Sequence, residues 1–97
     1  MSSKFKIRWL HLALQDLDKI ASYIAKDNEQ AAQEVAQRIW LAAQSLAELP
    51  ERARVGRVPG TRELVLTELP FFIAFRVKDN VVQIIRIIHT SRQWPIQ

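Results

Sequence analysis

Arginine dominates the side chains that could do chemistry in the second half of this chain. Arg54, Arg57, Arg62, Arg76, Arg86 and Arg92 run through it, with Glu63 and His89 among them. Guanidinium groups stay charged and grip phosphate or carboxylate through paired N–H donors. Metal-free RNA cleavage needs such cations around the phosphorane, a group to take the 2′-hydroxyl proton and a group to protonate the leaving oxygen. Arg62 opens one apolar run, while Arg86 and His89 close another, so together they offer cations and one acid–base group. Plainer roles compete. An arginine inside an apolar strand commonly serves as an ion-pair partner, with Glu63 or Glu68 as candidates for Arg86. A histidine after a strand is commonly just hydrogen-bonded.

Other chemistries find no support. The chain has no phosphate-binding glycine loop, no nucleophile elbow and no paired acidic motif. It has no cysteine, which excludes disulfides and thiolate metal sites, and its two histidines, His11 and His89, lie far apart. No cofactor and no metal are expected. The formal charge of +4 is unevenly placed. Through Pro50 six basic and six acidic side chains balance; from Glu51 onward eight basic face four acidic. That asymmetry suits an anionic partner.

The elements that must position these groups follow from periodicity. Lys4 to Trp9 alternates Phe5, Ile7 and Trp9 against Lys4, Lys6 and Arg8, a half-buried strand with a basic outer face. Ala13, Leu14, Leu17, Ile20, Ala21 and Ile24 follow helical spacing, which predicts a helix from about Leu10 to Ala25. Asp27-Asn28 breaks it and caps a second, alanine-rich helix of about twenty residues ending before Pro50. Trp40 falls beside that helix's apolar stripe, as a core-edge residue does. Three β-like runs follow: Arg62 to Thr67, Phe71 to Val77, and Val81 to Ile88, the last apolar enough for a strand covered on both faces. Lys78-Asp79-Asn80 reads as a hairpin turn. The order β-α-α-β-β-β gives a single α+β domain over residues 1–97, a helical hairpin packed on a small, mostly antiparallel sheet. No apolar run approaches the length of a membrane helix, and Met1 to Arg8 lacks a signal-peptide core.

Between helix and sheet lies Val55 to Leu66, which holds both glycines, Gly56 and Gly60, and the basic Arg57 and Arg62. It is a permissive joint that presents arginines at the entry to the sheet.

The chain resembles the RelE/ParE superfamily of toxins from bacterial type II toxin–antitoxin modules, and is nearer the ParE branch. The likeness rests on Leu17, Ile20, Tyr23-Ile24 and Ala31-Ala32, then Leu46 to Pro50, Gly56-Arg57 and Pro59-Gly60-Thr61-Arg62-Glu63-Leu64. It continues through Pro70-Phe71-Phe72-Ile73-Ala74-Phe75-Arg76-Val77, Ile85-Arg86-Ile87-Ile88-His89 and Trp94-Pro95. The resemblance implies a cytoplasmic, growth-inhibiting toxin neutralised by a cognate antitoxin, with operator DNA reached only through that antitoxin and no membrane partner. The ribonuclease branch carries a basic residue early in the third sheet strand, where this chain has Phe72, and a phenyl ring cannot stabilise a phosphorane by charge. Poisoning of DNA gyrase is therefore the expected activity. The alternatives are ribosome-dependent mRNA cleavage by Arg62, Arg86 and His89, and an inactive toxin serving only as co-repressor. The resemblance further implies target contact through Arg57, Arg62, Arg86, Arg92 and Trp94, and antitoxin contact through Leu17, Ile24, Trp40 and Phe72.

Overall fold

Alternation in the first residues does what it predicts. In the computed structural model, which describes residues 4–95, β1 (Lys6–Trp9) turns Ile7 and Trp9 toward the core and leaves Lys6 and Arg8 exposed. The chain then enters α1 (His11–Ala25). Asn28 caps α2 (Glu29–Ser45), its side chain accepting a hydrogen bond from the Ala31 backbone N–H at 3.0 Å. Such a cap is worth about 1 kcal/mol. Small residues let the layers close up: Ala13 and Ala43 are buried in the core between the helices and the sheet, and Ala32 is buried on α2. The helix ends sooner than its composition suggests, and a 3-10 turn at Pro50–Arg52 leads into the sheet.

Four further strands follow: β2 (Arg54–Val55), β3 (Arg62–Val65), β4 (Phe71–Lys78) and β5 (Val81–His89). The two-residue β2 is an addition to the order read from sequence. It is too short to show a period. In the sheet the strands lie in the order β1-β5-β4-β3-β2, with β1 parallel to β5 and the other pairs antiparallel. Asp79 and Asn80 both adopt left-handed backbone (φ 54° and 62°), which suits the tight β4–β5 hairpin and residues that tolerate it. A bulge interrupts the β4–β5 ladder: Phe75 pairs with Ile84 and Ala74 with Arg86, so Ile85 is the extra residue.

The two sheet faces differ. Ile73, Phe75, Val82, Ile84 and Ile87 join Ile39, Ala43 and Leu46 in the main core under the helices. On the opposite face Phe72, Ala74 and Ile88 form a smaller cluster against which Trp94 packs. β5 is thus covered on both faces only near its C-terminal end; earlier, Gln83 and Val81 look outward on a half-exposed face. Trp40 stacks on Trp9, with ring centroids 5.2 Å apart, at the edge of the core. In the joint, a side chain on Gly56 would place its Cβ 2.3 Å from Thr61 Oγ1, and Gly60 has φ 81°. Both glycines are required there for different reasons, close approach in one case and backbone hand in the other.

Candidate functional site

β1 accompanies β5 only as far as the pair Trp9–Ile84, so the C-terminal half of β5, paired with β4 on one edge, has no strand on the other. Helix α1 fills part of the gap with Asp16. Its carboxylate accepts from Arg86 Nε at 2.7 Å, from Arg86 Nη2 at 2.9 Å and from the Ile87 backbone N–H at 3.0 Å. Asp16 thereby occupies the place a neighbouring strand's carbonyl would take. The hydrogen bonds to Asp16 raise the Arg86 pKa above its ordinary value, outweighing the opposing effect of burial. Sequence suggested Glu63 or Glu68 as the partner of Arg86. The structure gives Asp16 instead, because Glu63 binds Arg54 and Arg57 and Glu68 faces Arg38.

Alongside this pair opens a groove of about 720 Å³. Ile20, Tyr23, Ile24, Val35, Leu69 and Phe71 supply its apolar wall, and Lys19, His89, Ser91 and Arg92 contribute polar groups. His89 sets its ring edge-on to Phe71 at 5.4 Å. Its Nδ1 accepts the Ser91 backbone N–H at 3.1 Å, which in the neutral ring leaves the proton on Nε2.

The opposite face of the sheet holds a second arrangement. The Glu63 side chain is 1% exposed and receives Nε and Nη2 of Arg54 at 3.1 and 2.7 Å. Arg57 adds its backbone N–H, Nε and Nη2 at 3.1, 2.9 and 2.9 Å. Burial alone would raise the Glu63 pKa; the bonds from Arg57, then Arg54, more than offset it and hold the carboxyl below its ordinary value. Both guanidinium groups lie over the Phe72 ring, 6.0 and 5.1 Å from its centroid.

These placements separate the residues that sequence grouped together. Arg62 pairs across the sheet with Phe75 and spends Nη1 on the Ala53 carbonyl at 2.9 Å. His89 pairs with Phe71, four residues along β4, so their rungs are about 13 Å apart. Arg62, Arg86 and His89 thus do not converge on one point. Arg86, His89 and Arg92 line the groove, whereas Arg57 belongs to the Phe72 face, where Trp94 packs. Among the described residues no cluster of His, Asp or Glu has the makings of a metal site.

The family model for the ParE toxin of type II toxin–antitoxin systems, parDE, matches residues 7–94. The chain belongs to the ParE toxin family. Two toxin-named relatives agree with this assignment. Y4kP of Sinorhizobium fredii is 44% identical over 93 residues, covering 96% of each chain. RelE2 of Caulobacter vibrioides is 42% identical over 87 residues, covering 90% of this chain and 97% of its own. Among solved structures, a chain of the chromosomal ParDE system of P. aeruginosa superposes with a TM-score of 0.82 at 32% identity, covering 91% of this chain and 98% of the other. A double mutant of E. coli RelE in the free state shares the fold, with a TM-score of 0.67 at 16% identity over 91% of this chain and 85% of its own. The ParE-family reading and the α+β architecture expected from sequence both stand.

In this ParE-family toxin the four apolar residues expected to meet an antitoxin are also scattered. Ile24 lines the groove; Leu17 packs against the core, Trp40 stacks on Trp9, and Phe72 is buried beneath the arginines. The expectation missed Asp16 and the Arg54–Glu63–Arg57 cluster. A signal for Asp16 exists. It lies three residues after Ala13 and four before Ile20, so a carboxylate sits inside the apolar stripe and calls for a buried cation. Nothing comparable marks Glu63, since only the β2–β3 pairing of Arg54 with Glu63 brings them together.

Proposed function

We propose that this toxin inhibits growth by binding DNA gyrase and stalling it, and that a cognate antitoxin silences it by occupying the groove beside β5. One observation carries the first half. Where a nuclease of this fold would need a free cation early in the strand that is β4 here, the side chain is Phe72, and the two guanidinium groups above it are tied to Glu63. A site so committed suits contact better than proton transfer around a phosphorane. The groove supports the second half: an apolar wall with Lys19 and Arg92 at hand fits an amphipathic segment carrying aliphatic anchors and acidic flanks. The antitoxin would supply the contact with operator DNA, and the module would act in the cytoplasm.

The test is induction of the chain with translation and DNA integrity followed in parallel. The gyrase reading expects continued protein synthesis, a DNA-damage response and trapped gyrase–DNA complexes with purified components. Arg57→Ala and Arg62→Ala are expected to weaken toxicity while antitoxin binding persists. Prompt translation arrest with mRNA cuts lost in Arg86→Ala or His89→Ala would overturn it in favour of a ribonuclease. Normal growth after induction would leave co-repression with the antitoxin as the remaining role.

A further inference from the structure

The register of the sheet assembles a charged surface that no single segment of sequence announces. Lys6 pairs with Val81, and Val81 with Lys78; Arg8 pairs with Gln83, and Gln83 with Arg76. Paired residues share a face. Their neighbours Ile7, Trp9, Val82 and Ile84 point into the core, so these two rungs point the other way, to the face without helices. All four cations are exposed. Strand geometry sets them on a grid about 10 Å across and about 7 Å along. Neither rung contains a carboxylate; the nearest in sequence, Asp79, belongs to the β4–β5 turn beyond Lys78. Gln83 accepts from Arg76 Nε and steadies that guanidinium without neutralising it. Farther along the same face lie Arg54 and Arg57, whose two charges share the single carboxylate of Glu63.

We propose that this face binds the phosphate backbone of nucleic acid directly, without reading sequence. A protein partner would be expected to need a buried apolar or aromatic anchor at the centre of its contact. Here the centre is Val81 and Gln83, with no aromatic ring in either rung. Phosphate contact needs only cations at suitable spacing. Two residues along a strand rise about 7 Å, close to the axial rise of two base-pair steps of about 3.4 Å each. Among the described residues neither α-helix carries the basic face of a recognition helix, which argues against sequence-specific reading but does not bear on a sheet face. The inference goes beyond the gyrase reading and stands or falls separately from it.

Fluorescence anisotropy of the free chain with labelled duplexes of two unrelated sequences tests this. Both are expected to bind alike. If four phosphates are neutralised, affinity should fall roughly 150-fold between about 50 and about 200 mM salt. Lys6→Gln with Arg8→Gln should lower the log–log salt slope by about two, and Arg76→Gln with Lys78→Gln likewise. Lys26→Gln, at the far end of the helical hairpin, should leave binding unchanged. Circular dichroism confirms that each variant folds, and gyrase trapping is followed separately. Failure to bind at about 50 mM salt overturns the proposal, as does binding that survives neutralisation of all four cations. A polyglutamate peptide that binds the face as tightly as the duplex would overturn it too, identifying an acidic protein as the occupant.

Discussion

Replacing Glu63 by glutamine changes little in shape and removes the one negative charge that holds two arginines on Phe72. Five hydrogen bonds end on this carboxylate, whose side chain is 1% exposed. Removing one member of a buried pair costs about 3–5 kcal/mol when the other charge is stranded. Here the stranded charges are about half exposed, 53% for Arg54 and 45% for Arg57, and can turn to water. That relief brings the expected cost of Glu63→Gln to about 2–3 kcal/mol, nearer the worth of a few charge-assisted bonds. For a domain of this size it corresponds to a fall in Tm of about 10–15 °C. Thermal unfolding followed by circular dichroism reads it directly. A pH series supplies the second arm. The folded pKa of Glu63 is lowered, so its stabilisation is present above the unfolded carboxyl value and is lost as pH falls through the folded value. The Tm gap between wild type and Glu63→Gln should therefore be widest at neutral pH and narrow in acid. A gap under about 3 °C at neutral pH, on a scale of about 5 °C per kcal/mol, or one that does not shrink in acid, would refute the account of this cluster.

Asp16→Ala leaves Arg86 without its partner and uncaps the Ile87 N–H; with both side chains mostly buried it should cost about 2–4 kcal/mol, read from the urea midpoint. Gly56→Ala forces a Cβ into Thr61 and should cost about 1–3 kcal/mol, whereas Gly60→Ala meets open space and bears only the left-handed penalty of about 1–2 kcal/mol. Equal unfolding midpoints for Gly56→Ala and wild type would contradict the close approach. Tyr23→Glu, at a side chain 74% exposed beside the groove, should leave Tm unchanged and weaken an acidic antitoxin segment at least tenfold by calorimetry. Undiminished affinity would place that segment elsewhere.

Much of the frame was legible because each element carries its own period. The alternation of Lys6 to Trp9, the stripe through Ala13, Leu17 and Ile20, and the apolar run into Ile88 each depend on near neighbours in the chain. The site was legible only in parts. Which arginine meets which carboxylate depends on strand order, on the bulge at Ile85 and on where α1 crosses β5. None of these is a local property. Glu63 and Arg54 become neighbours through a two-residue strand, and Lys6 and Lys78 reach one face only through β5. Residue types could suggest a nuclease centre; the register sets Arg62 and His89 on rungs about 13 Å apart.

The pairing of Lys6 with Val81 has a consequence for how the molecule comes into being. The first strand is held in the sheet by the last. During synthesis the helical hairpin emerges early and can form by local contacts, yet β1 waits for a partner that is made after all the other strands. The basic face, the groove beside β5 and the Asp16 cap all require that late strand. A ribosome that stops short of β5 therefore releases a fragment with none of these surfaces. These surfaces appear together, and only once β5 has been made and paired.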